Sequence, residues 1–126
     1  MNTEVKFSDF IRSRRKELDL MLREVADAIG VTPPYLTDLE KGRRAAPDNT
    51  EILSKLAVVL RLDQNGRDML YDLVAQERDS VAPDIPQYIK SLPMAQTALR
   101  KARNAGKQDD FWRTIVENLD KEGNER

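Results

Sequence analysis

At 126 residues the chain has room for one compact domain with an appendage, and a composition 40% hydrophobic and 34% charged suits a folded soluble protein. Its net charge of −1 supplies no global attraction to nucleic acid, so any such affinity has to come from a local basic face. With neither cysteine nor histidine, disulfides, most zinc sites and the Cys-His and Ser-His nucleophile pairs are excluded; no enzyme activity, metal or cofactor is expected.

Almost every segment reads as helix. Phe7, Ile11, Arg15 and Leu18 fall on one face at helical spacing, with Ser8 or Asp9 as the expected cap. A second helix runs from about Leu22 to Ile29, with Leu22, Val25, Ala26 and Ile29 inward and Gly30 turning the chain at its end. Thr32 is an N-cap and Pro33 suits the first helical position, so a third helix spans Pro33 to about Lys41, with Leu36, Leu39 and Glu40 inward and Gly42 as its stop. A loop follows from Arg43 to Thr50, ending in Asp48-x-x-Glu51, a capping-box pattern.

Helix four carries Ile52, Leu53, Leu56, Ala57 and Leu60; helix five starts near Gln64 and carries Met69, Leu70, Leu73 and Val74. Pro83, Asp84 and Pro86 mark a linker, which divides the chain at 1–80 and 81–126. Beyond it lie a short segment at Tyr88–Leu92, a helix from about Met94 to Ala105, Gly106, and a last helix before a tail from Glu122 that is expected to fray.

Two short helices joined by a tight turn are the informative feature. Ala26 is small enough for a close helix approach, Gly30 turns the chain, and Leu36 and Leu39 pack the third helix across the second. This is the geometry of a helix-turn-helix, whose second helix enters a DNA major groove. Arg15 and Glu40 each lie on an apolar face and have opposite signs. A lone buried charge is costly, so they are predicted to pair and to tie helix one to helix three. Pro34, Thr37, Asp38 and Lys41 face away from the core, and Lys41-Gly42-Arg43-Arg44 concentrates three positive charges at the end of that face.

The run from Leu22 to Arg44 resembles the helix-turn-helix of the lambda-repressor-like (Cro/Xre-type) transcriptional regulators. The matching positions are Val25, Ala26, Gly30, Val31, Leu36, Leu39, Glu40 and Gly42, with Arg15 upstream. The resemblance covers about Phe7 to Leu73. It implies an all-α fold, a five-helix DNA-binding domain with a short helical C-terminal extension. It also implies a base-reading surface of Thr32, Pro33, Pro34, Tyr35, Thr37 and Asp38, and phosphate contacts from Arg23, Lys41, Arg43 and Arg44. The sequence departs from the family at Met21 and Leu22, where a Gln or Thr often grips a phosphate. It departs again at Pro33 and Pro34, which offer neither backbone N–H nor bidentate base contacts. Some of the specificity is therefore expected from half-site spacing and DNA shape.

Phe111, Trp112, Ile115, Val116 and Leu119 give the last helix a wide apolar face, which can bury on its own domain, on a second copy or on another protein. Arg100, Lys101, Arg103 and Lys107 form a second basic cluster that reads as a solvated face, with contact to flanking DNA as the alternative. The tail looks like that of regulators in mobile elements and toxin–antitoxin operons. The expectation is a repressor that binds double-stranded DNA at a two-fold operator as a homodimer; the alternative is an antitoxin-like protein whose tail binds a protein partner. No run of about 18 apolar residues spans a membrane, and Met1–Phe10 does not read as a secretory signal, so a cytoplasmic location is expected.

Overall fold

The computed structural model describes residues 5–124; the start of the segment read as carrying no secretory signal (1–4) and the last two residues of the tail expected to fray lie outside them. Among the described residues there are eight helices and no strand: α1 (Phe7–Glu17), α2 (Leu22–Ile29), α3 (Pro33–Glu40), α4 (Thr50–Val59), α5 (Gln64–Arg78), α6 (Asp84–Ile89), α7 (Pro93–Asn104) and α8 (Asp109–Asn124). The fold is all-α, with the five-helix lambda-repressor-like order at its front. None of these helices is long and apolar enough to cross a membrane.

Local chemistry sets the helix ends. At the start of α2 the Met21 N–H donates to the Glu24 carboxylate at 3.0 Å. Its end is a Schellman turn: Gly30 takes φ 78°, its N–H donates to Asp27 O and the Val31 N–H donates to Ala26 O. At the start of α3 the Thr32 hydroxyl accepts the Tyr35 N–H at 3.2 Å, and both prolines sit in the first turn, where no N–H is needed. The same turn closes α3, with Gly42 at φ 73° and the Arg43 N–H donating to Asp38 O at 2.9 Å.

Four local expectations are corrected. Helix α1 starts at Phe7, with Lys6 as its N-cap, so Ser8 and Asp9 lie inside the first turn and do not cap it. Asn49, not Asp48, caps α4, accepting the N–H groups of Glu51 and Ile52, while Asp48 lies 3.6 Å from Arg78. Met69 is 46% exposed; its neighbour Leu70 takes the inward position. The short segment after the linker begins earlier than expected, at Asp84, because Pro86 falls in its first turn and is accommodated there; Leu92 lies outside it.

The chain divides into two compact units, one ending at Tyr88 and the other starting at Ile89. In the first, α2 packs on α3 and α4, α1 on α3 and α5, and α4 on α5. Ile11, Val25, Leu36, Leu39, Leu53, Leu56, Leu60, Leu70 and Val74 are essentially out of water. Each such side chain contributes about 1.5–3 kcal/mol of transfer free energy. Ala26 is wholly buried in this core. Arg14 joins α1 to the end of α4, donating to Leu60 O at 2.8 Å and Arg61 O at 3.0 Å, where the carbonyl ends of a helix favour a cation.

At the start of α6, Asp84 Oδ1 is buried without a hydrogen-bond partner among the described residues. Burial pushes the Asp84 carboxyl above the usual carboxylate value, and the carboxylates of Asp68 and Asp72 push it further in that direction. Burial, and then the charge of Asp84, raises the Tyr71 phenol.

The second unit holds α7 and α8, joined through Gly106 at φ 69°. Gln96 fastens the start of α7 to the turn before it, donating to Ile89 O at 2.8 Å. Among its described residues only Ala102 is buried.

Candidate nucleic-acid interface

The exposed face of α3 is built outward from an ion pair. The Arg15 guanidinium meets the Glu40 carboxylate twice, Nε to Oε2 at 2.7 Å and Nη2 to Oε1 at 2.9 Å. The two side chains are only 13% and 5% exposed. This is the bidentate, charge-assisted geometry that makes a paired charge tolerable away from water. Arg15 also donates from Nη1 to Leu20 O at 2.9 Å. Its pKa is raised, first by the hydrogen bond to Glu40 and against the effect of burial. The pair ties α1 to the last residue of α3, on the side away from solvent, and so fixes the roll of α3.

That roll decides what α3 presents. Leu36, Leu39 and Glu40 are buried. Thr32 and Pro34 are exposed, while Pro33, Tyr35, Thr37 and Asp38 are half-buried at the edge of the core. Lys41, Arg43 and Arg44 are exposed just past the helix, and Arg23 is exposed in the first turn of α2. The face therefore offers hydroxyl groups from Thr32, Tyr35 and Thr37 beside three cations.

Two contacts join the helix to the loop. Arg43 Nη1 lies 3.9 Å from Asp38 Oδ1, so this carboxylate on the face has a counter-charge of its own. The Arg44 guanidinium lies over the Tyr35 ring, 4.7 Å from its centroid.

The loop itself is pinned by residues that the sequence pattern does not flag. Ala46, fully buried, donates its N–H to Glu77 Oε1 at 3.0 Å and accepts from Arg78 Nε at 2.8 Å. Arg78 also lies 3.6 Å from Asp48. The end of α5 thus grips the middle of the loop that carries Arg43 and Arg44. The one local hint is an adjacent acid and base closing a helix, which is common and marks nothing by itself.

In the second unit, Trp112 and Ile115 are half-buried, whereas Phe111, Val116 and Leu119 are exposed. Phe111 and Trp112 meet edge to face with centroids 5.1 Å apart, and Lys107 Nζ lies 5.5 Å from the Phe111 ring centroid. Arg100, Lys101 and Arg103 are exposed on α7. Among the described residues no group of three acidic side chains is placed to hold a metal ion.

The helix-turn-helix family model matches residues 11–63, from within α1 to just past α4. Over 72 residues the chain is 36% identical to the "ImmF control region 10 kDa protein" of Bacillus phage phi105, covering 57% of this chain and 78% of that one. Over 53 residues it is 38% identical to uncharacterized HTH-type transcriptional regulators of two Mycobacterium tuberculosis strains, CDC 1551 / Oshkosh and ATCC 25618 / H37Rv. That match takes in 42% of this chain and 36% of each of those proteins. No solved structure matches.

Proposed function

Because this chain belongs to the helix-turn-helix family of the Xre/Cro type, we propose that it is a sequence-specific DNA-binding repressor that acts by occupying promoter DNA, with no catalytic step. Helix α3 enters the major groove. Thr32, Pro33, Pro34, Tyr35, Thr37 and Asp38 face the bases, and Arg23, Lys41, Arg43 and Arg44 meet phosphates. The observation that carries this reading is the exposed run Lys41, Arg43 and Arg44, set at the end of α3 by the buried Arg15–Glu40 pair behind it and by the loop anchor at Ala46. A chain of net charge −1 needs such local concentration to approach a polyanion. The phage relative is named for a control region and the mycobacterial ones as transcriptional regulators, which supports a regulatory role.

Residues 1–80 form the DNA-binding part and 81–126 the extension, in a cytoplasmic protein. The apolar side chains of α8, Phe111, Trp112, Ile115, Val116 and Leu119, pair two copies. Two α3 helices then sit about 34 Å apart, on half-sites one helical turn apart. The exposure of Phe111, Val116 and Leu119 equally favours a second reading, an antitoxin-like tail that binds a partner protein while the helix-turn-helix regulates its own operon.

The test is the double variant Arg43→Ala, Arg44→Ala. It binds every duplex more weakly than the wild type, and its plot of log affinity against log salt is shallower by about 0.9 for each phosphate that the variant no longer neutralises. An unchanged salt slope removes both arginines from the phosphate-binding set.

A further inference from the structure

We infer that Tyr35 is a positioning residue for Arg44: its ring pre-sets the guanidinium for a backbone phosphate, and its hydroxyl reads no base. The inference rests on the reading that α3 and its loop bind DNA, and it changes the role that Tyr35 plays within it.

Three observations carry it. The Arg44 guanidinium lies over the Tyr35 ring, 4.7 Å from the centroid. The ring is a firm platform: Tyr35 is half-buried and packs against the core, and its N–H is tied to the Thr32 hydroxyl in the first turn of α3. The Arg44 backbone is held on both sides, by the Arg43 N–H to Asp38 O bond before it and by both bonds of Ala46 after it. With the backbone fixed, the freedom left to Arg44 lies in its side chain, and its place over the Tyr35 ring removes part of that before DNA arrives. Ordering a long side chain at an interface is one of the costs of binding, and pre-organisation reduces it.

The two loop arginines contrast in chemistry. Arg43 faces the Asp38 carboxylate at 3.9 Å, a charge contact beyond hydrogen-bond reach, so its attraction to a phosphate is opposed by an acid already beside it. Arg44 has an aromatic ring as its neighbour where Arg43 has a carboxylate, and a ring attracts the cation without competing as a charged acceptor. Arg44 is thus the loop cation whose position is set by a ring and not by a carboxylate. Because phosphates are the same at every step, a contribution routed through Arg44 carries no sequence preference.

The experiment titrates the full chain against a duplex from its own upstream region and against a shuffled duplex, at two salt concentrations. The proteins are wild type, Tyr35→Phe, Tyr35→Leu, Arg44→Ala and the Tyr35→Leu, Arg44→Ala double variant. Phenylalanine keeps the ring, so Tyr35→Phe binds both duplexes within twofold of wild type. Tyr35→Leu loses about two- to fivefold, by the same factor on both. Arg44→Ala lowers the salt slope by about 0.9, and adding Tyr35→Leu to it costs nothing more.

Loss on the upstream duplex alone in Tyr35→Phe shows a base-reading hydroxyl and overturns the inference. So do additive losses in the double variant. Thermal melts confirm that Tyr35→Leu is folded; if it is not, Tyr35→Met, which keeps the bulk of the side chain without the ring, takes its place with the same expected loss. Wild-type protein that binds neither duplex overturns the DNA reading itself, and is told apart from the other failures because no variant is needed to see it.

Discussion

The unit ending at Tyr88 and the unit starting at Ile89 use apolar residues in opposite ways. The first buries Phe7, Ile11, Val25, Ile29, Leu36, Leu39, Leu53, Leu56, Leu60, Leu70 and Val74 in one continuous core. The second buries only Ala102 among its described residues and leaves Met94, Leu99, Phe111, Val116 and Leu119 exposed. The first therefore has an internal reason to hold its shape, and that shape fixes the face of α3. The second carries apolar surface that its own helices do not consume, which is a property of surfaces that meet another molecule.

The largest effect that would break this comparison is at the ion pair. The Arg15 side chain is 13% exposed in the native fold, and Glu40→Ala removes its carboxylate partner. A loss of about 3–5 kcal/mol is expected in denaturant unfolding, because an uncompensated buried charge is left behind. A loss below about 1 kcal/mol would mean that the pair only lines the core with its aliphatic stems.

A matched substitution sharpens the contrast. Leu53 is fully buried and Leu119 is 59% exposed. Leu53→Ala should cost about 2–5 kcal/mol, while Leu119→Ala stays within about 0.5 kcal/mol for the dilute monomer. If α8 pairs two copies, Leu119→Ala instead weakens the rise of melting temperature with protein concentration. Equal costs at the two leucines would show that the second unit hides its apolar side chains as the first does.

The smallest expected effect concerns Asp84. Its carboxyl is raised by burial and then by Asp68 and Asp72. The folded chain therefore holds this proton to higher pH than the unfolded chain. The penalty for ionising it is absent in acid, grows as pH rises from the unfolded value to the raised folded one, and stays constant above. Asp84→Asn should melt above wild type at neutral pH, and the gap should close as pH falls below the usual aspartate value. A gap that persists in acid would trace the effect to packing instead of charge.

What could be read from the sequence was what local chemistry decides. Gly30 and Gly42 need left-handed backbone, Thr32 caps a helix, Pro33 and Pro34 tolerate its first turn, and Ala26 permits close approach. Arg15 and Glu40 stood out because a charge on an apolar face demands a partner. What could not be read was decided across the chain. Asp48 and Asn49 are both competent caps, and Asp48 stands beside Arg78, 30 residues later, while Asn49 caps α4. The grip of Glu77 and Arg78 on Ala46 spans 31 and 32 residues and leaves no periodic trace. Met69 and Leu70 are adjacent apolar residues, and helical period alone does not say which turns inward. The position of Arg44 over the Tyr35 ring depends on the loop conformation that those distant bonds impose.

Everything proposed for this chain turns on whether α3 and its loop bind a specific DNA site. The most direct test titrates the purified wild-type protein against labelled duplex from its own upstream region, with a shuffled duplex as control, at two salt concentrations. Salt-sensitive binding that favours the upstream duplex by about a thousandfold or more is expected. Weak binding that is equal for both duplexes would contradict specific DNA binding by α3 and move the function to the apolar face of α8.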